Sequence, residues 1–175
     1  MKRIFIYVFA LLLIPTVVQS AAQGWRQATD KELATIIPDR APVEKERIET
    51  ELRTASGVTD GKGHFIAGVV MITAGYSAEG KYSHFVIVQA PIKIGEMKLQ
   101  PGNYVFGYKR TDQDTLEVKF YEAATGKPLG SVPAKIEKRS GPIRSLLITP
   151  PSSGRTMFQI GRFIFEYSFV QEGKA

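Results

Sequence analysis

Residues 101–110, Pro-Gly-Asn-Tyr-Val-Phe-Gly-Tyr-Lys-Arg, followed by residues 116–121, Leu-Glu-Val-Lys-Phe-Tyr, decide the fold class. A Pro-Gly pair turns the chain, and from Asn103 onward Tyr104, Phe106 and Tyr108 fall on one face of a strand while Val105 and Gly107 fall on the other. The polar Thr111 to Asp114 turns the chain again. It then enters a clean apolar/polar alternation, the mark of a second, half-buried strand. Thr125-Gly126 is a further hairpin signal, because glycine takes the positive φ that tight turns need. The return strand runs to about residue 138, and Pro133 marks it as an edge or a bulge. Three consecutive strands make an antiparallel meander.

The pattern continues on both sides. Residues 65–73 and 82–89 are rich in β-branched and aromatic side chains and are bounded by Gly, Ser or Pro, so both read as strands. The second is apolar on both faces from Phe85 to Val88, which predicts a central strand. Residues 92–99 form a short hairpin turning at Gly95-Glu96. Towards the C-terminus, residues 143–149 read as a strand ended by Pro150-Pro151. Residues 157–170 read as one long strand in which Phe163, Phe165, Tyr167 and Phe169 share a face, and Gly161 suggests a bend where the strand changes sheet. Strands separated by turns at short intervals predict an all-β domain of about eight or nine antiparallel strands, a β-sandwich or a partly open barrel, over residues 57–175.

Residues 23–56 read differently, as a helical preface. Thr29 followed three residues later by Glu32 has the form of a capping box, opening a helix that ends before Pro38. A second helix is expected from Pro42, with Glu49 and Arg53 as an i,i+4 pair and Val43, Ile48, Leu52 and Ala55 as a thin apolar stripe. Ser56 to Gly63 then reads as the loop into the β body.

Before the preface lies a secretory signal, residues 1–22: basic Lys2 and Arg3, an apolar run from Ile4 to Val18 interrupted by Pro15, then Ser20-Ala21-Ala22. A run of about 15 residues is shorter than the roughly 20 of a membrane span, so cleavage after Ser20 or Ala22 is expected, with no stable membrane insertion afterwards. The chain has no cysteine. It therefore lacks both disulfides and the lipid-attachment residue of a lipoprotein, and a periplasmic or secreted protein stabilised by burial alone is the expectation. The formal charge is +6, and loss of Lys2 and Arg3 with the leader lowers it to +4. Acidic residues are interspersed throughout, which argues against a nucleic-acid partner.

Chemistry-bearing motifs are sparse. Gly57 to His64 fails a phosphate loop in spacing, identity and context. Gly75 to Gly80 misses the nucleophile-elbow spacing by one residue. His64 and His84 are the only histidines, and no cysteine or spaced carboxylates complete a metal site, although the two rings could face each other across a hairpin. Asp112 and Asp114 read as a solvated turn rather than a calcium loop. No catalytic residue, metal or cofactor is expected. The aromatic faces offer the best candidate ligand site: Tyr104, Tyr108 and Tyr167, with His84 beside them, could border a cleft for a small apolar or ring-bearing ligand, against the plainer reading of core packing.

The segment Lys98 to Tyr108, the strand Leu116 to Tyr121 and the run Gly130-Ser131-Val132-Pro133-Ala134 resemble a loose group of small exported β proteins of acidobacteria and related soil bacteria. The shared features are a "leucine, any, Pro-Gly, any, Tyr" turn into a strand and a "valine-lysine-phenylalanine" strand. The resemblance spans a third to a half of the chain and implies export and a β fold only, since the group carries no assigned activity. The functional expectation is a non-enzymatic binding or cell-envelope-associated domain, its partner an envelope protein or a small apolar ligand. The alternative is a barrel-type carrier. An enzyme would require His84 to meet a carboxylate and a hydroxyl in one cleft.

Overall fold

The computed structural model describes residues 24–73, 81–137 and 142–170. The signal segment and the elbow-like stretch at residues 75–80 lie outside them. Fourteen strands, one α-helix and one 3-10 turn make up the described chain. The strand total exceeds the eight or nine expected because the preface contributes strands and the aromatic C-terminal run divides into three.

The first helix forms as its sequence dictates. Thr29 caps α1 (Asp30–Ile36): its Oγ1 accepts from the Glu32 amide at 3.3 Å, and the Glu32 carboxylate accepts from the Thr29 amide at 2.8 Å. Arg26, on β1 (Arg26–Gln27), grips the same carboxylate at 2.6 Å and holds the Glu32 pKa down to about 2.

The second expected helix is a β-hairpin. β2 (Arg40–Val43) turns at Glu44-Lys45 into the fourteen-residue β3 (Glu46–Thr59), with Val43 opposite Glu46 and Pro42 opposite Arg47. Pro42 fits because β2 is an edge strand, where a missing N–H costs no ladder bond. The expected Glu49–Arg53 pair is replaced by Glu51–Arg53 at 2.9 Å, residues two apart and so on one face of a strand. The expected loop from Ser56 shrinks to the turn after Thr59, where Asp60 Oδ1 accepts from the amides of Lys62 and His64.

β3 opens an antiparallel sheet that continues through β4 (Phe65–Met71) and β5 (His84–Val88). The next strand, β6 (Ile92–Ile94), turns at Gly95 into β7 (Met97–Leu99), a separate hairpin. The meander follows as expected: β8 (Gly102–Arg110) pairs with β5 and with β9 (Thr115–Glu122), and β9 pairs with β10 (Pro128–Ile136) through a turn in which Gly126 has φ +68°. Pro133 lies where β10 has β9 as its only ladder partner.

β11 (Arg144–Ile148) and β12 (Met157–Gly161) pair with each other across the 3-10 turn Pro151–Ser153. Gly161, with φ +59°, is not a bend in one strand but half of a two-residue hairpin with Arg162. Ile160 pairs with Phe163, so β12 folds back on β13 (Phe163–Glu166). The change of sheet falls later, at Tyr167, after which β14 (Ser168–Phe169) joins β6 and β7 in a small three-stranded sheet.

The large sheet runs β1, β3, β4, β5, β8, β9, β10, β13, β12, β11 and curls until β11 meets β3 and β4 again. The Ile148 amide donates to Ser56 Oγ at 2.9 Å, and a Cβ on Gly68 would lie 3.0 Å from Leu146. The result is a curled, antiparallel half-barrel. Its concave side is filled with rings: Phe106 and Phe165 each contact Phe120, Phe158 and one another at centroid distances of 5.1 to 6.5 Å. The β6–β7–β14 sheet adds Ile92, Ile94 and Leu99 to this core, and Trp25 stacks on Phe169 at 4.4 Å. A second core lies on the outer side, where α1 and β2 cover Ala67, Val69, Phe85 and Val105 with Leu33, Ile37, Ala41 and Val43. β5 is thus buried on both faces, as its continuous apolar run requires.

Candidate functional site

Even-numbered residues of β5 face the ring-filled interior, and His84 is the first of them. It pairs in register with Phe106 of β8 and Val70 of β4. Its imidazole stacks on the Phe106 ring at 4.5 Å with an interplanar angle of 7°, and Tyr108, two residues along the same face of β8, approaches at 6.0 Å. Nδ1 lies 2.8 Å from Ser83 Oγ. Nε2 is buried without a hydrogen-bond partner, and the Ser145 backbone only partly offsets the effect of burial, which lowers the pKa to about 4. His84 is therefore neutral at pH 7.

These residues stand at the open end of the half-barrel, in a cleft of about 1080 Å³. His84 and Ser83 form its back, and Tyr108, Leu116, Ile160 and Phe163 its aromatic and aliphatic walls. Ile143 and Arg144 lead β11 into it, and the Gly161-Arg162 turn reaches it from below. The rim is apolar as well as basic: Ile143 is 60% exposed and Tyr108 37%. Arg110 lies over the Phe163 ring at 5.1 Å and donates to the Gln113 carbonyl at 2.7 Å.

The structure thus brings together two of the four expected ligand-site residues. Tyr104 and Tyr167 do not line this cleft. Tyr104 is buried with its hydroxyl donating to the Gln100 carbonyl at 2.7 Å, and burial, reinforced by the Glu122 charge, raises its pKa. Tyr167 is buried against Phe158 and Phe169, donates to the Thr149 carbonyl at 2.8 Å, and is likewise raised by burial. Both are core residues with satisfied hydroxyls, because the aromatic faces they belong to meet each other across the half-barrel.

The two histidines do not face each other. His64 lies beyond the Phe65 end of β4, bonded to Asp60 at 2.7 Å, whereas His84 pairs with Val70 near the other end. Several strand residues at ~3.3 Å each separate them, too far for one metal ion to bridge. Among the described residues no group of three or more His, Asp or Glu could hold a metal. Asp112 and Asp114 form a local turn, in which the Asp114 amide donates to Asp112 Oδ1 at 2.8 Å. His84 meets hydroxyls in its cleft, but among the described residues no carboxylate lines it.

Sequence reasoning missed Arg110, Arg144 and Arg162. Arg110 ends β8, Arg144 opens β11 and Arg162 sits in the β12–β13 turn, so only the folded sheet brings them to one cleft. A second cleft of about 780 Å³ lies on the other side of Arg144 and Arg162 and contains Asp30 and Glu137 among its lining residues.

No protein-family model, curated protein or solved structure matches this chain. Among the described residues no helix is long and apolar enough to cross a membrane.

Proposed function

We propose that the chain is an exported, non-enzymatic binding domain of the cell envelope, and that its ligand site is the cleft walled by His84 and Tyr108. One observation carries this reading: the half-barrel is packed solid with phenylalanine rings along its length yet opens at one end into a large cleft at which Ile143 and Tyr108 stay exposed. A folded chain gains by burying such groups, so an exposed apolar rim around a concave site favours an occupant. The same observation weighs against a carrier that encloses its ligand within the barrel, since Tyr104 and Tyr167 are committed to the core. Export rests on the residue 1–22 pattern, and non-enzymatic action on His84 having no carboxylate beside it among the described residues of its cleft.

The test is native mass spectrometry of the protein purified from the envelope fraction of its own host, wild type against Tyr108→Ala. A discrete bound mass retained by the wild type and lost by the variant supports the reading. A bare chain, or a bound mass indifferent to the variant, refutes this cleft as the site.

A further inference from the structure

The cleft at the open end of the half-barrel is electrostatically one-sided. Arg110, Arg144 and Arg162 all line it, and among the described residues none of its lining residues is acidic. Arg144 pairs in register with Gly161, so its guanidinium and that of Arg162 leave neighbouring backbone positions, while Arg110 is held over Phe163, the next residue after Arg162. Neither Arg144 nor Arg162 makes an ion pair among the described residues. The contrast with Arg155 is informative: on the same region of the surface it is fixed between Glu137 at 2.5 Å and Glu166 at 2.6 Å. Glu137 and Glu166 are thus engaged by Arg155, and Asp30 lies in the second cleft, on the other side of Arg144 and Arg162.

Three cations lining one cleft with no described carboxylate in it give it a positive potential. An anion matches that potential, and guanidinium groups bind carboxylate and phosphate oxygens through paired N–H donors. The His84, Tyr108 and Phe163 rings with Leu116 and Ile160 also line the cleft, beside the hydroxyl residues Thr73, Ser83 and Ser145, and give it a largely apolar surface for a flat or short hydrocarbon body.

We propose that this cleft binds a small organic anion, a carboxylate or phosphate monoester carried on an aromatic or short aliphatic body, with Arg144 and Arg162 holding the charged end and Tyr108 and Phe163 the body. The proposal rests on the reading of the cleft as the binding site. In that arrangement His84 acts as a neutral wall, its ring fixed by Phe106 and Ser83.

The inference is tested by titrating the exported, ¹⁵N-labelled protein with phenylacetate, phenyl phosphate, the neutral phenethyl alcohol and inorganic phosphate, following the backbone amides of Ser145, Gly161 and Arg110. At least one aromatic anion is expected to shift these signals saturably, and phenethyl alcohol to bind at least about tenfold more weakly. The Arg144→Gln, Arg162→Gln double variant should weaken the anion at least about tenfold. Both side chains are exposed, and an unchanged amide spectrum away from the cleft will show that the variant is folded. The stronger of the two aromatic anions identifies the head group. Equal binding of the alcohol and the anions, or no effect of the double variant, overturns the anion assignment while leaving the cleft a binding site. Inorganic phosphate binding as tightly as phenyl phosphate overturns the role given to the aromatic walls. Silence of all three amides to every probe removes both the assignment and the site.

Discussion

His84 is buried in its neutral form, and that placement fixes a pH dependence. Its pKa in the folded chain is about 4 against an ordinary 6.5. Between those values the unfolded chain binds a proton that the folded chain refuses, so stability is full above pH 6.5 and falls as the pH drops towards 4. The slope is roughly 1.4 kcal/mol per pH unit, or about 2 kcal/mol lost between pH 7 and pH 5. Glu32, Glu51 and Asp60, whose pKa values are lowered by their partners, add losses only at lower pH, once carboxylates in the unfolded chain begin to protonate below about 4.5. His84→Phe keeps a ring to stack on Phe106 and removes the titrating group. Urea denaturation should show the wild type weaker at pH 5 than at pH 7 and the variant nearly equal at both; a wild type insensitive to this interval would mean that the imidazole takes up a proton in the folded state. His84 was legible as a candidate because it shares a strand face with Val86 and Val88. That Tyr108 accompanies it while Tyr104 does not depends on which end of β8 stays open, and no local pattern encodes that.

β3 shows at the scale of the element why local reading fails where it does. Its first half carries Glu46, Arg47, Glu49, Glu51 and Arg53, with only Ile48 and Thr50 buried, and a thin apolar stripe with interleaved charges fits a helix as well as a strand. The decision is made by partners outside the segment itself: the neighbouring strands β2 and β4, and the remote β1 and β11. The Glu44-Lys45 turn gave no signal either, since Glu44 adopts φ +52° without being glycine. The Thr29–Glu32 capping box, by contrast, is complete within four residues, and it formed as read. The seam between β3 and β11 has a single side-chain bond that can be removed cleanly. Ser56→Ala leaves the Ile148 amide buried and unpaired, at a cost of roughly 1–3 kcal/mol. Hydrogen exchange should report the loss locally, with the Ile148 amide exchanging faster in the variant while Ile87 and Val105, in the middle of the sheet, keep their protection relative to global unfolding. Unchanged protection of Ile148 would show that β11 is held by packing alone.

For the whole molecule, a chain without cysteine has only burial and backbone pairing to hold it, and the half-barrel concentrates that burial in one aromatic cluster. The aromatic runs at Tyr104-Phe106-Tyr108 and Phe163-Phe165-Tyr167-Phe169 were readable as two faces from their period of two. That they meet each other, with Phe120 and Phe158 between them, follows from the Gly161-Arg162 hairpin, whose glycine alone does not distinguish a turn from a bulge. The arginines of the cleft were illegible for the same reason, because each is an ordinary strand-end cation until the sheet curls. Phe165 sits at the centre of this arrangement, 5% exposed, stacked on Phe158 at 5.1 Å and set edge-on to Phe106 and Phe120. Phe165→Ala removes a ring that three others pack against, in an interior where those neighbours are anchored on three different strands and cannot collapse into the gap. The expected loss is about 3–5 kcal/mol, a large share of the roughly 5–15 kcal/mol that holds a domain of this size folded. Phe169, half-buried at the chain's last described strand, has solvent on one side, so Phe169→Ala should cost well under half as much. Thermal or urea unfolding of the two variants side by side measures the difference, and equal losses would show that the half-barrel's stability is spread along its strands rather than centred on the phenylalanine cluster.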